Sequence, residues 1–272
     1  CAGELAHGAF EHGFEDYGAD ILRRITRWGE EHNGYFHCCL RGAMPDLPKR
    51  KFTTLSVKEI ANIDFRGEGA RGVPGWTGEG TNDLASMPTG RRTFCDVPFV
   101  VTDPAKNGRR ACLGLSAKPD YAQEATLPVG RKAASIYLLH TMAGGALAGT
   151  CRIRYADGSE HAEYIRRGRH LGGWWVPSDP PKNRTAPFTA KVAWRGPNRY
   201  FPNVGVYACG IDNPHPAKKI REIRFEAAED GTFWAVLAVT LCDKPVFFMP
   251  SDVSFGIPDN WGAAAVVYAL ME

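Results

Sequence analysis

Two carboxylic residues near opposite ends of the chain, Glu4 and Asp259, are the first candidates for catalysis. Two carboxyl groups that flank one scissile bond can divide the roles of general acid, general base and nucleophile between them. Each residue also has a structural interpretation. Glu4 falls in the first turn of a predicted helix, where a negative charge is favourable, and Asp259 is a natural N-cap for the helix that follows it.

A histidine-rich stretch near the start of the chain invites a metal interpretation. His7 and Glu11 are four residues apart and therefore share one face of a helix. His12 lies five residues from His7, which turns it about 140° around the helix axis. Because the three side chains cannot converge as they do on a zinc-binding helix, we predict no metal catalysis here.

A structural calcium ion stays open as an alternative. Asp83, Asp96 and Asp103 are candidate ligands, although their spacing matches no recognised calcium loop. The glycine-rich run from Gly67 to Gly80 lacks the preceding strand and following helix of a phosphate cradle, so we predict no nucleotide site. Apart from calcium, the sequence predicts no cofactor.

Tryptophan residues supply the candidate ligand-binding groups in the middle of the chain. Trp174 and Trp175 are adjacent, and neighbouring residues of an extended segment point to opposite faces. One indole is therefore expected in the core, and the other can face a ligand. Trp76, in the glycine-rich loop, is a second candidate, because flat indole rings can stack on sugars. Trp194 and Trp234 lie within predicted strands and are interpreted as packing residues.

The spacing of apolar residues predicts which elements position these groups. Three- and four-residue steps predict a helical hairpin over residues 2–17 and 19–31, and a further helix is predicted from Trp261. Both chain ends thus fall within predicted helices, as expected for a segment of a larger protein. Strands are predicted at Phe52–Val57, Val97–Thr102, Ala111–Leu115, Ala134–His140, Leu147–Tyr155, His161–Ile165, Lys191–Trp194, Val204–Cys209, Ile220–Ala227 and Phe233–Leu241.

Three turn sequences separate predicted strands. Asp157-Gly158, Asn107-Gly108 and Asp230-Gly231 each predict a hairpin between the strands on either side. Since no amphipathic helices intervene, the fold class is mainly β, an antiparallel β-sandwich of jelly-roll type flanked by short helical segments. The predicted domains are a helical hairpin at 1–44, the sandwich at 45–250 and the start of a further helical segment at 251–272.

Composition narrows the possible partners and compartments. The net charge of +3 over 272 residues is too small and dispersed to indicate nucleic-acid binding. No apolar run approaches the roughly 20 residues that span a bilayer, which predicts a soluble protein without a membrane partner. The eight cysteines form neither a C-x-x-C pair nor a zinc pattern. Cys112, Cys151 and Cys242 are interpreted as buried thiols, which fits a cytoplasmic compartment, and a periplasmic one stays open.

Seven segments, taken in their order along the chain, resemble the jelly-roll domains that are attached to or inserted in bacterial carbohydrate-active enzymes. The resemblance covers roughly residues 52–245, and the segments are Gly75–Leu84, Phe94–Phe99, Asp103–Gly108, Tyr155–Gly158, Gly173–Trp175, Ile211–Pro216 and Ile220–Phe225. The flanks are similar to hairpins of the six-hairpin (α/α)6 toroid of many glycoside hydrolases and polysaccharide lyases. Pro258–Ala263, which opens a predicted helix, is the better of the two flanking matches.

This resemblance implies a glycoside hydrolase whose catalytic centre lies in the toroid, so that carbohydrate and the remainder of an (α/α)6 domain are the implied partners. Hairpin geometry then brings the predicted helix ends to one rim. The implied catalytic residues are Glu4 and Asp259, and the implied substrate-binding residues at that rim are His7, Tyr35, His37, Asn260 and Trp261. The alternative is a non-catalytic carbohydrate-binding or structural module.

Overall fold

The computed structural model describes residues 49–248, except 78, 176 and 178–188, together with two isolated helical positions, Ala19 and Arg23. The chain divides into two compact units, Arg50–Phe248 on the one hand and Cys1–Lys49 with Met249–Glu272 on the other. Apart from Ala19 and Arg23, the predicted helices and the predicted segments 1–44 and 251–272 lie outside the described residues.

The unit Arg50–Phe248 contains twelve described strands and two short 3-10 helices, Lys58–Ile60 and Pro104–Lys106. The strands are β1 (Phe52–Leu55), β2 (Gly90–Phe94), β3 (Val97–Val101), β4 (Leu113–Leu115), β5 (Glu124–Arg131), β6 (Ser135–Ala143), β7 (Leu147–Tyr155), β8 (Glu160–Arg166), β9 (Ala190–Gly196), β10 (Val204–Asp212), β11 (Ile220–Ala227) and β12 (Phe233–Cys242).

Two antiparallel sheets form the body of this unit. The larger sheet has the strand order β1-β12-β6-β10-β9, with β4 also paired to β12, and the smaller sheet has the order β5-β11-β7-β8. Strands β2 and β3 form a separate hairpin. The prediction of an antiparallel β-sandwich is therefore confirmed.

The larger sheet is buried on both faces, which explains the composition of its central strands. Every residue of β12 is buried, and so are eight of the nine residues of β6. Such strands form continuous apolar runs rather than alternating ones. One face packs against the smaller sheet around Leu138, Cys151 and Phe225. The other face packs against a second cluster that includes Phe65, Trp76 and Phe99 from the segment before β4.

One of the three predicted hairpin turns is confirmed and two are wrong. Asp157-Gly158 joins β7 to β8, which pair with each other. Asn107-Gly108 connects β3 to β4, but β3 pairs with β2 and β4 pairs with β12. Asp230-Gly231 connects β11 of the smaller sheet to β12 of the larger one. These glycines, all at positive φ, allow a tight change of direction, but they do not determine which strands pair.

The chain enters and leaves this unit at neighbouring positions. Phe52 at the start of β1 is the register partner of Cys242 at the end of β12. Just outside this pair, the backbone N–H of Lys51 donates to Asp243 Oδ1 at 2.8 Å. Arg50 lies over the rings of Phe52 and Phe247, 5.1 and 5.4 Å from their centroids. The entering and leaving segments are thus joined by backbone pairing and by a cation–π contact.

Four of the described cysteines, Cys112, Cys151, Cys209 and Cys242, are buried free thiols, and Cys95 is half-buried. Burial raises the pKa of Cys112, Cys151 and Cys242, as expected for thiols that pack as small apolar groups. No helix in the described part of the chain is long and apolar enough to cross a membrane.

Candidate functional site: an aromatic surface beside the larger sheet

Most of the predicted site residues lie outside the part of the chain that the structure describes. These are the two candidate catalytic carboxylates and five of the candidate substrate-binding residues, namely Glu4, Asp259, His7, Tyr35, His37, Asn260 and Trp261. Their roles stay predictions. The structure describes the other three candidates, Trp76, Trp174 and Trp175, and places them within one group of aromatic side chains.

Trp76 belongs to the core rather than to a surface. Its side chain lies in the cluster behind the larger sheet, with only 1% of the residue exposed. The indole makes edge-to-face contacts with Trp174 and Phe233, at centroid distances of 5.5 and 5.0 Å. A sugar ring needs an open ring face, and this buried indole has none. We therefore do not carry Trp76 forward as a sugar platform.

The glycine-rich loop buries Trp76 because its backbone segments approach one another closely. A Cβ atom on Gly75 would lie 2.0 Å from the carbonyl oxygen of Gly67. A Cβ atom on Gly67 would lie 2.1 Å from the carbonyl oxygen of Gly80. Only glycine fits at such crossings, so Gly67 and Gly75 serve backbone packing.

Trp174 and Trp175 face opposite sides, as the alternation of an extended segment predicts. Trp174 is buried at 5% exposure, whereas Trp175 is 45% exposed. Trp175 forms an isolated β-bridge with Val204, the first residue of β10. Its indole stacks on the ring of Phe201 at a centroid distance of 4.8 Å and an interplanar angle of 26°. The backbone and the ring of Trp175 are therefore both held in place.

The loop between β9 and β10 supplies the remaining aromatic groups. Tyr200 is 60% exposed, and Phe201 is half-buried beneath Trp175. We call Trp175, Tyr200 and Phe201 the aromatic surface. Tyr200 and Phe201 are not among the residues predicted from the sequence to bind a ligand. The flanking pairs Pro197-Asn198 and Pro202-Asn203 mark this segment as a turn, and an aromatic pair within a turn is a signal for a binding loop.

Asn198 fixes the shape of this loop. Its Oδ1 accepts hydrogen bonds from the backbone N–H groups of Tyr200 and Phe201, both at 2.9 Å. Its Nδ2 donates to Asn82 Oδ1 at 3.0 Å and to the carbonyl oxygen of Asp83 at 3.3 Å. The aromatic loop is thus tied to the end of the glycine-rich loop, which prearranges the exposed rings before any ligand arrives.

Polar groups that suit a hydroxylated ligand lie beside the aromatic loop. Asn82 Nδ2 donates to the exposed carboxylate of Glu79 at 2.8 Å. Ser86 Oγ donates to the carbonyl oxygen of Pro197 at 2.7 Å. Arg199, next to Tyr200, is exposed. A surface that combines flat apolar rings with exposed carboxylate and guanidinium groups fits a sugar, which has both apolar C–H faces and hydroxyl groups.

The candidate calcium ligands are engaged otherwise or lie apart. The carboxylate of Asp83 accepts hydrogen bonds from the backbone N–H groups of Gly67 and Ala85. Asp103 accepts from the N–H of Ala105 and caps the second 3-10 helix. Asp96 occupies the turn between β2 and β3 at positive φ. Among the described residues, no three histidine, cysteine or carboxylate side chains are placed to hold a metal ion.

The carboxyl groups whose acidity this unit changes all become more acidic. Hydrogen bonds from Lys218 and Ser159 lower the pKa of Asp157, and the His170 hydrogen bond lowers that of Glu163. Contacts with Arg221 lower the pKa of Glu222, and the Thr232 side chain lowers that of Asp230. The general acid of a glycosidase needs the opposite shift. None of these four groups therefore has the raised pKa that a general acid requires.

No protein-family model matches the chain, and no curated protein matches it.

Proposed function

We propose that the unit Arg50–Phe248 binds carbohydrate through the aromatic surface. The observation that carries this proposal is the half-exposed indole of Trp175, which is fixed from below by Phe201 and along its backbone by Val204. A rigid, exposed indole stacks on the apolar face of a sugar ring with little loss of conformational entropy. The exposed side chains of Glu79 and Arg199, in the two loops that Asn198 joins, can supply polar contacts to such a ligand.

The strand order agrees with the jelly-roll type to which the seven segments are similar. Eight of the strands are divided between the two sheets in the orders β1-β12-β6-β10 and β5-β11-β7-β8. This is the order of a jelly roll, in which two Greek keys interlock. A fold does not determine a function, so the proposal depends on the aromatic surface and not on the topology.

We further propose that the unit is the accessory part of a bacterial glycoside hydrolase, in which Glu4 and Asp259 divide the acid and base roles. One observation supports this arrangement. The chain enters and leaves the sandwich at the paired residues Phe52 and Cys242, as an inserted domain requires.

The binding proposal is tested by calorimetric titration of the full chain with neutral and uronate-containing oligosaccharides. Trp175→Ala removes the stacking ring, and we expect an affinity loss of at least about 30-fold, as for an aromatic residue that dominates an interface. Tyr164→Ala is the matched control, because Tyr164 is 52% exposed but lies on β8 of the smaller sheet. This control should bind as the unaltered protein does.

Equal losses in the two variants would contradict a specific site at Trp175. If no oligosaccharide binds and Trp175→Ala only lowers the melting temperature, the aromatic surface packs against other parts of the protein, and the structural-module alternative gains support.

The hydrolysis proposal requires a separate assay. Release of reducing ends is measured on any oligosaccharide that binds, for the full chain and for its Glu4→Gln and Asp259→Asn variants. These substitutions preserve shape and remove the carboxyl chemistry, so each should lower turnover by orders of magnitude. Unchanged turnover in both would refute the catalytic assignments and would leave the binding proposal intact.

A further inference from the structure

The segment 170–175, which contains the buried Trp174 and the exposed Trp175 of the aromatic surface, is held by buried polar groups of the larger sheet. The hydroxyl of Tyr207 donates to the carbonyl oxygen of Gly173 at 2.8 Å. The backbone N–H of Gly205 donates to the carbonyl oxygen of Trp174 at 2.9 Å. At the start of the segment, His140 Nε2 lies 3.1 Å from the carbonyl oxygen of His170.

The hydrogen-bond network assigns the direction of the His140 contact. His140 Nδ1 accepts from the indole Nε1–H of Trp234 at 3.1 Å, so the ring proton is on Nε2. The Nε2–H group of His140 therefore donates to the carbonyl oxygen of His170. Because His140 and Trp234 are both fully buried, this donor has a fixed position.

Two of these polar side chains, His140 and Tyr207, are neighbours within the sheet and contact the segment directly, whereas Thr141 acts on it through Gly205. His140 of β6 and Tyr207 of β10 are register partners. Thr141, the next residue of β6, donates to the carbonyl oxygen of Gly205 at 3.1 Å, and Gly205 in turn holds Trp174. Burying three polar side chains in a core is costly, and apolar residues would pack there without that cost. What the three provide is a fixed path for the backbone of the segment.

Resting on the proposed carbohydrate-binding function, we infer that Tyr207 is a positioning residue for Trp175. Its hydroxyl fixes the backbone two residues before the exposed indole, so that the indole stacks on Phe201 in one orientation. His140 and Thr141 act with it on either side of Gly173. None of the three touches the ligand, and their effect on affinity is through the orientation of Trp175.

The test removes one oxygen atom. Tyr207→Phe deletes the hydroxyl that holds Gly173 and leaves the ring in the core. Tyr155→Phe is the matched control: Tyr155 is also fully buried, and its hydroxyl donates to Asn213 Oδ1 at 2.5 Å, away from the segment. Should Tyr207→Phe fail to fold, Thr141→Val provides a second, nearly isosteric removal of a polar group.

Two measurements are made on the full chain. The seven tryptophans are replaced by 5-fluorotryptophan, and the Trp175 fluorine resonance is identified by its loss in Trp175→Phe. Affinity for the best-binding oligosaccharide is measured in parallel. In Tyr207→Phe we expect a shifted or broadened Trp175 resonance and an affinity about 3- to 10-fold weaker, the equivalent of one hydrogen bond. In Tyr155→Phe we expect neither change.

The two readouts separate failure of this inference from failure of the proposed function. An unchanged Trp175 resonance in Tyr207→Phe overturns the positioning role, whether or not a glycan binds. Equal changes in both variants also overturn it, because they would reflect general loosening of the core. A Trp175 resonance that changes only in Tyr207→Phe supports the positioning role, even if the unaltered protein binds none of the oligosaccharides and the carbohydrate proposal fails.

Discussion

Acidification from pH 7 to pH 5 should destabilise this protein through one buried histidine, His140. The imidazole is fully buried between the sheets, and burial lowers its pKa from an ordinary 6.5 to about 3. In the unfolded chain the same group takes up a proton as the pH falls below about 6.5. The unfolded state therefore binds more protons than the folded state over the interval between the two pKa values.

The size of the effect follows from this difference in proton binding. Above about pH 6.5, the pKa of His140 in the unfolded chain, His140 does not change the free energy of unfolding. As the pH falls from about 6.5 toward about 3, the free energy of unfolding decreases. Between pH 7 and pH 5, His140 alone should lower the free energy of unfolding by about 2 kcal/mol. The carboxyl groups with lowered pKa values, such as Glu163, lose their contribution only near or below their ordinary pKa of 4.5. They add little in this interval.

Chemical denaturation at a series of pH values, followed by tryptophan fluorescence, measures the effect because Trp234 contacts His140. His140→Gln is the reference variant. A glutamine amide can donate to the His170 carbonyl and accept from the Trp234 indole, but it does not titrate. Subtracting its pH dependence from that of the unaltered protein isolates His140. Parallel curves between pH 7 and pH 5 would refute a neutral, deeply buried His140.

Three further predictions concern stability. Gly75→Ala places a methyl group 2.0 Å from the Gly67 carbonyl oxygen and should lower the free energy of equilibrium unfolding by about 1–3 kcal/mol. Gly173→Ala is the control, because its added Cβ has no neighbour closer than 3.8 Å, and it should lower that free energy by less than about 1 kcal/mol. Asp64→Asn weakens an ion pair in which the buried Asp64 carboxylate accepts from Arg109 Nε at 2.8 Å. It should lower the free energy of unfolding by about 2–3 kcal/mol. A decrease below about 0.5 kcal/mol would show that the charge of Asp64 is dispensable. Residues 50–248 expressed alone should give a β-type circular dichroism spectrum and one cooperative thermal transition, and an unfolded product would contradict an inserted, self-contained unit.

The sequence predicted strands better than it predicted how the strands are joined. All ten predicted strands are present, because β-branched and apolar residues cluster wherever the larger sheet or the core side of the smaller sheet needs them. The two missed strands are β2, which begins with the exposed residues Gly90, Arg91 and Arg92, and β5, which contains Pro128. Pro128 is tolerated because β5 is an edge strand. Neither strand has the apolar pattern of a buried one.

For the candidate site, the sequence correctly predicts that Trp174 and Trp175 face opposite sides. It does not predict that Trp76 is buried. Alternation along an extended segment is local, so adjacent indoles can be assigned to opposite faces from the sequence. The burial of Trp76 depends on contacts between Gly67, Gly75 and Gly80, and only the folded loop reveals them. Likewise, Phe201 lies beneath Trp175 through a contact across 26 positions of the chain, which no short-range pattern encodes.

The position of β12 has a consequence for the order of events during synthesis. This last strand of the unit lies between β1 and β6 and also pairs with β4, so it completes a sheet whose other strands precede it in the chain. At about 5–20 residues per second, a ribosome needs roughly 10–40 s to proceed from β1 to the end of β12. Until β12 has been made, β1 lacks its described partner strand, and β6, once it has been made, has an open edge. A stop codon before Phe233 would therefore yield an aggregation-prone chain with unpaired apolar strands.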